Sequence, residues 1–363
     1  MMWKKSRKRK TFVDRAEVKK RKWGRYAFAT VAGLALAVIA AGALLYFGSL
    51  RSLKGQAVTA DAWETYDSEL SDRILPDTVS WKDREYRRNE EIYTILCMGI
   101  DTENDMVAEG TGMRTGAQSD ANFLVVVDAE QDKLSVVAIP RDTMTEIACF
   151  DTEGTSTGVI KDHLALQYAY GDGGNRSCEL MQQSVSRLFY HQPVDAYVTF
   201  SLNAIEALNG MVGGVSVTLM EDLDGHKAGE EITLNNEQAY RYIRVRDCEE
   251  DYSAEYRLQR QKQYLTAFIE KAIAYTKEDI RTPFRMYEQV SDSMLTNLSD
   301  AQILSLVLLG LQCDFSDESL YVVPGEQVIG GYYEEYHVDE QGLYELILEI
   351  FYLEEDGPSG RKN

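Results

Sequence analysis

An uncharged run of 25 residues between Arg25 and Arg51 constrains this chain more than any other feature of its sequence. The apolar part, Tyr26–Phe47, would extend about 33 Å as a helix, enough to cross the hydrocarbon core of a membrane. Tyr46 and Phe47 near its end are typical of a membrane interface. The run is too long for the apolar core of a signal peptide, and buried core helices rarely follow a polybasic segment. It therefore predicts one transmembrane helix over residues 26–50.

The charge distribution predicts the orientation of that helix. Residues 1–25 carry 12 Lys or Arg against Asp14 and Glu17. Because these residues contribute +10 to a net charge of −21, the rest of the chain carries −31. Positive flanks stay inside, so residues 1–25 are expected to be a cytoplasmic tail of a single-pass protein of the cell membrane, with the bulk of the chain outside. A part this acidic repels a phosphate backbone, which argues against nucleic acid as a partner.

The external part divides into three segments by composition. Residues 51–78 are polar and predict a stalk, residues 79–355 a folded domain, and residues 356–363 a disordered tail. Within the domain, buried-type strands alternate with helical patterns, which is typical of a layered α/β fold. The strongest of these patterns are strands at Ile92–Ile100, Asn122–Val127 and Leu134–Ile139, helices at Ala254–Tyr275 and Gln341–Leu353, and capping boxes at Asn235/Gln238 and Ser299/Gln302.

The five cysteines form no CxxC motif and leave their redox state open. An oxidising location permits a bridge, yet the sequence does not choose a pair, and free thiols fit equally well. The common hydrolase, zinc-protease and P-loop signatures are also absent from the sequence.

Two aspartates stand at the ends of predicted strands. Asp101 follows the run Ile92–Ile100, and Asp120 precedes the next strand. Because strand ends open toward a crevice in α/β sheets, both carboxylates can meet at one rim. Two carboxylates with open positions suit Mg²⁺. The alternative is a pair of loop aspartates that form ordinary turn hydrogen bonds.

Arginines are the second candidate group. Arg141 follows a strand and Pro140, and a cluster of further arginines lies between residues 241 and 260. Guanidinium groups bind phosphate oxygens in pairs and stay charged when partly buried, so the cluster indicates an anionic partner. Ordinary surface ion pairs with neighbouring acidic residues are the alternative. The cluster comprises Arg241, Arg244, Arg246, Arg257 and Arg260, with Gln261 on the same helical face as Arg257 and Arg260.

Taken in order, short motifs of this chain resemble the LytR-CpsA-Psr family of bacterial cell-envelope proteins. They cover residues 90–275 closely and include Ile95–Asp101, Ser119–Asp120, Ile139–Thr143, Tyr168–Gly171, Val212–Val215, Gln238–Ala239, Arg244–Arg246 and Arg260–Gln261. The resemblance implies an α/β fold with a mixed central sheet between helices and a long apolar lipid pocket. It also implies a Gram-positive type of cell envelope.

The same resemblance implies an activity and its residues. A phosphotransferase would move a glycopolymer from an undecaprenyl-pyrophosphate carrier onto peptidoglycan through a phosphodiester. Asp101 and Asp120 would hold Mg²⁺, and Arg141, Asp101 and Arg246 would be catalytic, with Asp101 as first candidate for the general base. The remaining residues would bind substrate: Arg244, Arg257, Arg260, Gln261 and, from the loop, Arg114.

Two positions depart from the family pattern. Gln118 stands where an arginine is frequent, and Ala254 where an aspartate is frequent. Arg114 is expected to supply the charge missing at Gln118. The departures keep a second hypothesis open, in which the protein is a non-catalytic envelope module that binds prenyl-pyrophosphate lipids as a sensor or scaffold.

Overall fold

The computed structural model describes residue 42 and residues 44–57, 74–110, 117–244, 253–330 and 333–355. The chain divides into two compact units, residues 1–51 and residues 52–363.

In the first unit, residues 44–51 are helical. Across the described ranges, no helix combines the length and the apolar composition that a membrane crossing requires. Residues 26–41 of the predicted span lie outside those ranges, as do the basic tail, residues 58–73 of the predicted stalk and the tail 356–363. The transmembrane helix therefore stays a prediction.

The second unit contains all the strands of the described chain. In chain order they are β1 (Thr78–Trp81), β2 (Arg84–Arg88), β3 (Ile92–Ile100), β4 (Ser119–Asp128), β5 (Lys133–Ile139), β6 (Met144–Phe150), β7 (Ser156–His163), β8 (Ala196–Ser201), β9 (Val215–Thr218), β10 (Glu231–Leu234), β11 (Met294–Thr296), β12 (Leu320–Val322), β13 (Gly325–Ile329), β14 (Glu334–Val338) and β15 (Tyr352–Glu355).

Helices connect and cover these strands. The described α-helices of this unit that have both ends inside it are α1 (Leu164–Ala169), α2 (Asn175–Leu188), α3 (Asn203–Met211), α4 (Asn236–Arg244), α5 (Ser253–Glu278), α6 (Thr282–Val290), α7 (Asp300–Gly310) and α8 (Glu340–Phe351). Two short 3₁₀ helices lie at Ser291–Ser293 and Asp317–Ser319.

A mixed sheet forms the centre of the unit. Among the described strands its order is β11-β8-β3-β4-β5-β12, with β3 parallel to β8, β5 parallel to β12 and the other pairs antiparallel. Smaller sheets join β1, β2 and β15, and pair β6 with β7, β9 with β10 and β13 with β14. The mixed α/β architecture with a central mixed sheet is confirmed.

One face of the central sheet packs into a solid core. Leu96, Leu124 and Val137 lie side by side in register on β3, β4 and β5 and are almost fully buried. Helices α1, α2 and α8 cover this face with apolar side chains such as Tyr168 and Ile347. Because the strands are buried on both faces, their sequences are continuous runs of apolar residues.

The opposite face of the sheet carries the residues that alternate along each strand with those of the core face. Cys97, Phe123 and Ala138 lie side by side there. Helix α5 crosses this face and contacts it through Leu265 and Ile269. This face therefore presents an apolar floor beneath a long helix.

Most predicted elements are confirmed, with differences at their ends. The three buried strands are β3, β4 and β5, and both capping boxes form their reciprocal hydrogen bonds. The helix predicted to reach Leu353 ends at Phe351, because Tyr352 and Leu353 pair with β2 instead.

Candidate active site

A β-bulge brings the two aspartates to one place. Gly99 pairs with Ala121 and Ile100 with Ser119, so Asp120 is an extra residue on β4. Side chains alternate between faces along a strand, and a bulge shifts that alternation by one. Asp120 and Ala121 consequently both border the cavity on the α5 side of the sheet, and Asp101, in phase with Gly99, borders it too.

Asp120 lies between two guanidinium groups. Arg141, which follows β5 and Pro140, donates from Nη1 to Oδ1 of Asp120. Arg257 in the first turns of α5 donates from Nη1 to Oδ2 at 3.0 Å. All three side chains are at most 20% exposed. The carboxylate therefore joins the end of β5 to the start of α5.

Gln118 has a place in the same network. Its Oε1 accepts a hydrogen bond from Nη2 of Arg141, whose Nε also donates to Asp142 at 3.2 Å. An amide oxygen here orients the guanidinium without adding charge. Gln118, which departs from the family pattern, thus holds Arg141 in place through a hydrogen bond to an uncharged group.

Arg244 ends helix α4 and faces Asp101. Its Nη2 lies 3.4 Å from Oδ1 of Asp101, and its Nη1 donates to the Tyr240 hydroxyl at 2.6 Å. The Tyr240 hydroxyl in turn donates to Glu103 at 3.1 Å. Arg244 and Asp101 are each about half exposed, so this ion pair can open at little cost. Tyr240 and Glu103 were not predicted, although Tyr240 stands one helical turn before Arg244.

Arg260 and Gln261 hold the end of α4. Nε of Arg260 donates to the carbonyl of Tyr242 at 2.9 Å, and Nη1 pairs with Glu221 at 2.7 Å. Gln261 donates to the carbonyl of Ile243 at 3.3 Å. Arg260 does not border the apolar cavity that opens beside this cluster, whereas Gln261 does. Arg260 thus makes a structural contact with α4, and its role in substrate binding stays a prediction.

Two further predicted site residues, Arg246 and Arg114, lie outside the described residues. The side chain of Ala254 does as well. Their roles stay predictions.

A large apolar cavity opens at this cluster of charges. Its volume is about 580 Å³, within the range of typical ligand sites. The sheet supplies its floor, α5 one wall, and helices α3, α6 and α7 the others. Asp101, Asp120, Arg244, Arg257 and Gln261 border it, and most of the rest is apolar, including Cys97, Phe123, Val136, Val198, Phe200, Leu208, Leu265, Phe268, Ile269, Met286 and Leu306.

The donor set at the cavity mouth suits a cation only in part. Within the described ranges, no three His, Cys, Asp or Glu side chains stand together as a metal site. The carboxylates of Asp101 and Asp120 border the same space, and Mg²⁺ prefers such oxygen ligands while leaving positions for phosphate oxygens. The residues present therefore fit a site that a phosphate ligand completes.

Among the described cysteines, Cys97 borders the apolar cavity. Cys97, Cys178 and Cys313 are free thiols. A bridge between Cys149 and Cys178, one of the possible pairs, is therefore not formed. Cys248 lies outside the described residues.

Solved structures share this fold. Protein gbs0355 from Streptococcus agalactiae superposes with a TM-score of 0.55 at 22% identity, covering 72% of this chain and 86% of that one. A structure described as TagT bound to LI-WTA gives a TM-score of 0.52 at 22% identity over 76% of this chain and 94% of that one. At these identities the likeness concerns the fold alone.

Sequence relatives point to one family. The polyisoprenyl-teichoic acid–peptidoglycan teichoic acid transferase TagV of Bacillus subtilis is 28% identical over 250 residues, covering 63% of this chain and 57% of TagV. TagU of the same organism, named for the same activity, is 25% identical over 74% of this chain and 82% of TagU. The family model described as LytR_cpsA_psr matches residues 54–346. Because that match covers most of the chain, the protein belongs to the LytR-CpsA-Psr family.

Proposed function

We propose that the protein is a phosphotransferase that moves a glycopolymer from an undecaprenyl-pyrophosphate carrier onto peptidoglycan. The observation that carries the proposal is an apolar cavity of about 580 Å³ whose mouth is formed by arginine and aspartate side chains. A lipid with a diphosphate head matches that pairing of surfaces. TagU and TagV are named for such a transfer of teichoic acid, which supports the proposal.

The cavity is suited to a prenyl chain. Protein interiors are closely packed and seldom leave voids much larger than a water molecule, so an apolar space of this size is a candidate binding site. Gly99 and Ala121 approach each other closely at the cavity wall, since a methyl group added at Gly99 would lie 3.3 Å from the Ala121 methyl. In the proposal the chain lies between the sheet and α5.

The charges at the mouth are suited to a diphosphate with a cation. Among the described side chains, Arg141, Arg244 and Arg257 are balanced by carboxylates of Asp101, Glu103, Asp120 and Asp142. These three arginines and four carboxylates carry no net positive charge for a diphosphate to meet. Mg²⁺ held by Asp101 and Asp120 would neutralise the diphosphate oxygens. Arg246 and Arg114 are proposed to add further positive charge.

The protein side chains would position the reacting groups. The hydroxyl oxygen of the acceptor attacks the phosphorus that carries the glycan, and the bond from that phosphorus to the bridging oxygen breaks. Arg141 and Arg257, held in place by Asp120, bind the phosphoryl oxygens as charge develops on them. Undecaprenyl phosphate leaves, and a carboxylate accepts the hydroxyl proton.

The anchor would serve the same reaction. In the proposal, residues 26–50 cross the cell membrane once, with residues 1–25 in the cytoplasm and the family domain outside. The lipid-linked donor and the enzyme then meet within the same membrane. The peptidoglycan acceptor lies on the same side as the domain.

A transfer assay tests the proposal. Full-length protein in detergent with Mg²⁺, an undecaprenyl-pyrophosphate-linked glycopolymer and peptidoglycan fragments is expected to release undecaprenyl phosphate and form the phosphodiester. R141A is expected to lose at least 10²-fold in rate, because a charged donor to the phosphoryl oxygens is gone. R285A is the control, since Arg285 on α6 is exposed and pairs with Asp279, which directly follows α5.

Two outcomes would count against the proposal. Equal rates for R141A and the unaltered protein would remove Arg141 from the reaction. Binding of the donor without any product would favour the non-catalytic lipid-binding module instead.

A further inference from the structure

A second, smaller cavity lies beside the apolar one. Its volume is about 30 Å³, and it shares Asp120, Arg257 and Gln261 with the apolar cavity. We call it the polar cleft, defined by Asp120, Arg141, Glu255, Arg257, Gln327 and Tyr336. Arg257 borders both spaces and Arg141 borders the cleft, and both guanidinium groups bind Asp120.

The outer wall of the polar cleft is fixed to the Arg141 segment. Tyr336 on β14 donates its backbone N–H to the Asp142 carbonyl at 2.8 Å, and it forms a β-bridge with Thr143. Its hydroxyl donates to the Val323 carbonyl at 2.7 Å. The hairpin β13–β14 is therefore part of the site and holds Gln327 and Tyr336 opposite α5.

Glu255 is the carboxylate of the cleft that no arginine neutralises in the described structure. It stands in the first turn of α5, one turn before Leu258 and two before Gln261, which also line the cleft. Gln259 donates to its Oε1 at 3.4 Å, and within the described ranges Oε2 has no hydrogen-bond partner. Asp120, by contrast, is bound by two guanidinium groups.

The electrostatics of Tyr336 agree with this placement. Burial, and then the nearby Glu255 carboxylate, raise the pKa of Tyr336 to about 12. The Tyr336 phenol consequently stays protonated at neutral pH and keeps its hydrogen bond to Val323. Glu255 is left as the cleft carboxylate available to accept a proton.

We propose that the polar cleft receives the attacking hydroxyl of the acceptor glycan and that Glu255 is the general base. This inference rests on the proposed transfer reaction. Glu255 takes the hydroxyl proton as the oxygen bonds to the phosphorus between Arg141 and Arg257, and undecaprenyl phosphate departs with the bridging oxygen. About 30 Å³ holds about two water molecules, so the cleft takes an alcohol group and not a whole sugar ring.

This role differs from the one expected for Asp101. Asp101 faces Arg244 at the mouth of the apolar cavity and is a proposed Mg²⁺ ligand, a state in which it cannot also collect a proton readily. Glu255 lies on the cleft side of Arg257. In the proposal, Asp101 therefore serves the diphosphate head group and Glu255 serves the acceptor hydroxyl.

The test compares E255Q with E270Q in full-length protein. Both glutamates are exposed residues of α5, and Glu270 borders neither cavity. E255Q is expected to lower the rate of transfer to peptidoglycan fragments about 10²-fold or more, while its dissociation constant for undecaprenyl diphosphate changes less than twofold. E255D is expected to restore part of the rate.

The outcomes distinguish a failure of this inference from a failure of the proposed transfer reaction. If the unaltered protein transfers glycopolymer and E255Q does so at the same rate, Glu255 is not the base. If E255Q binds undecaprenyl diphosphate more weakly by the same factor as its rate falls, Glu255 belongs to the donor site and the inference is overturned. If the unaltered protein forms no product, the proposed transfer itself fails and this inference fails with it.

Discussion

At the scale of single residues, the site is a set of carboxylates that each orient an arginine. Asp120 joins Arg141 to Arg257, and Asp101 faces Arg244. The sequence predicted these residue types and their anionic partner, but not which carboxylate meets which arginine. That pairing depends on a bulge of one residue, and no local pattern distinguishes a bulged Asp120 from one in regular alternation.

Cys97 provides a residue-scale prediction about the cavity. Protein surrounds this thiol even though it borders the cavity, and burial raises its pKa to about 12. At pH 8 only about one thiol in 10⁴ is then ionised, so alkylation by iodoacetamide is expected to be slow and to rise about tenfold per pH unit up to pH 10. Mass spectrometry of labelled peptides measures the rate, with the unfolded protein as control. Labelling of Cys97 at the rate of an exposed thiol would contradict the burial of this thiol in the cavity wall.

At the scale of elements, helix α5 organises the site. It carries Arg257 toward Asp120, and one turn later Arg260 binds the last turn of α4. Spacing alone places Arg257, Arg260 and Gln261 on one helical face, which is why all three were predicted to bind substrate. The partners of Arg260 are a carbonyl on α4 and Glu221, and such long-range contacts cannot be read from spacing.

The contact between α5 and α4 predicts the effect of removing Arg260. R260M keeps the apolar stem but leaves the Tyr242 carbonyl and Glu221 without their donor, so we expect a loss of about 1–3 kcal/mol in the free energy of unfolding. The melting temperature is expected to fall by about 2–4 °C per kcal/mol. R285M, which removes an exposed arginine, is expected to change stability by less than about 0.5 kcal/mol. Thermal denaturation compares the two, and equal melting temperatures would show that Arg260 does not hold α4.

Other elements could be predicted to different degrees. Strands β3, β4 and β5 are buried on both faces, and their apolar runs identify them directly. The hairpins β6–β7 and β13–β14 escaped prediction because β7 and β13 are mostly exposed and carry polar residues. This omission mattered, since β13–β14 forms the outer wall of the polar cleft.

At the scale of the whole domain, the two faces of the central sheet differ in how closely they are packed. The face toward α1, α2 and α8 is a packed core that supports the sheet. The face toward α5 leaves an apolar space that ends at the charged cluster. Alternation along the strands predicts two apolar faces, but it does not tell a filled face from a hollow one. The resemblance to a family predicted a lipid pocket, and the binding of a lipid in this apolar space stays a prediction.

The dissociation constants of two diphosphates test the central claim most directly. Full-length protein in detergent with Mg²⁺ is titrated with undecaprenyl diphosphate and with dimethylallyl diphosphate, which has the same head and a five-carbon tail. In V125F a ring enters the apolar cavity five residues along β4 from Asp120 at the charged mouth. We expect V125F to weaken undecaprenyl diphosphate at least tenfold, about 1.4 kcal/mol, and to leave dimethylallyl diphosphate unchanged. R141A is expected to weaken both, and unaltered binding of undecaprenyl diphosphate by V125F would contradict a lipid chain between the sheet and α5.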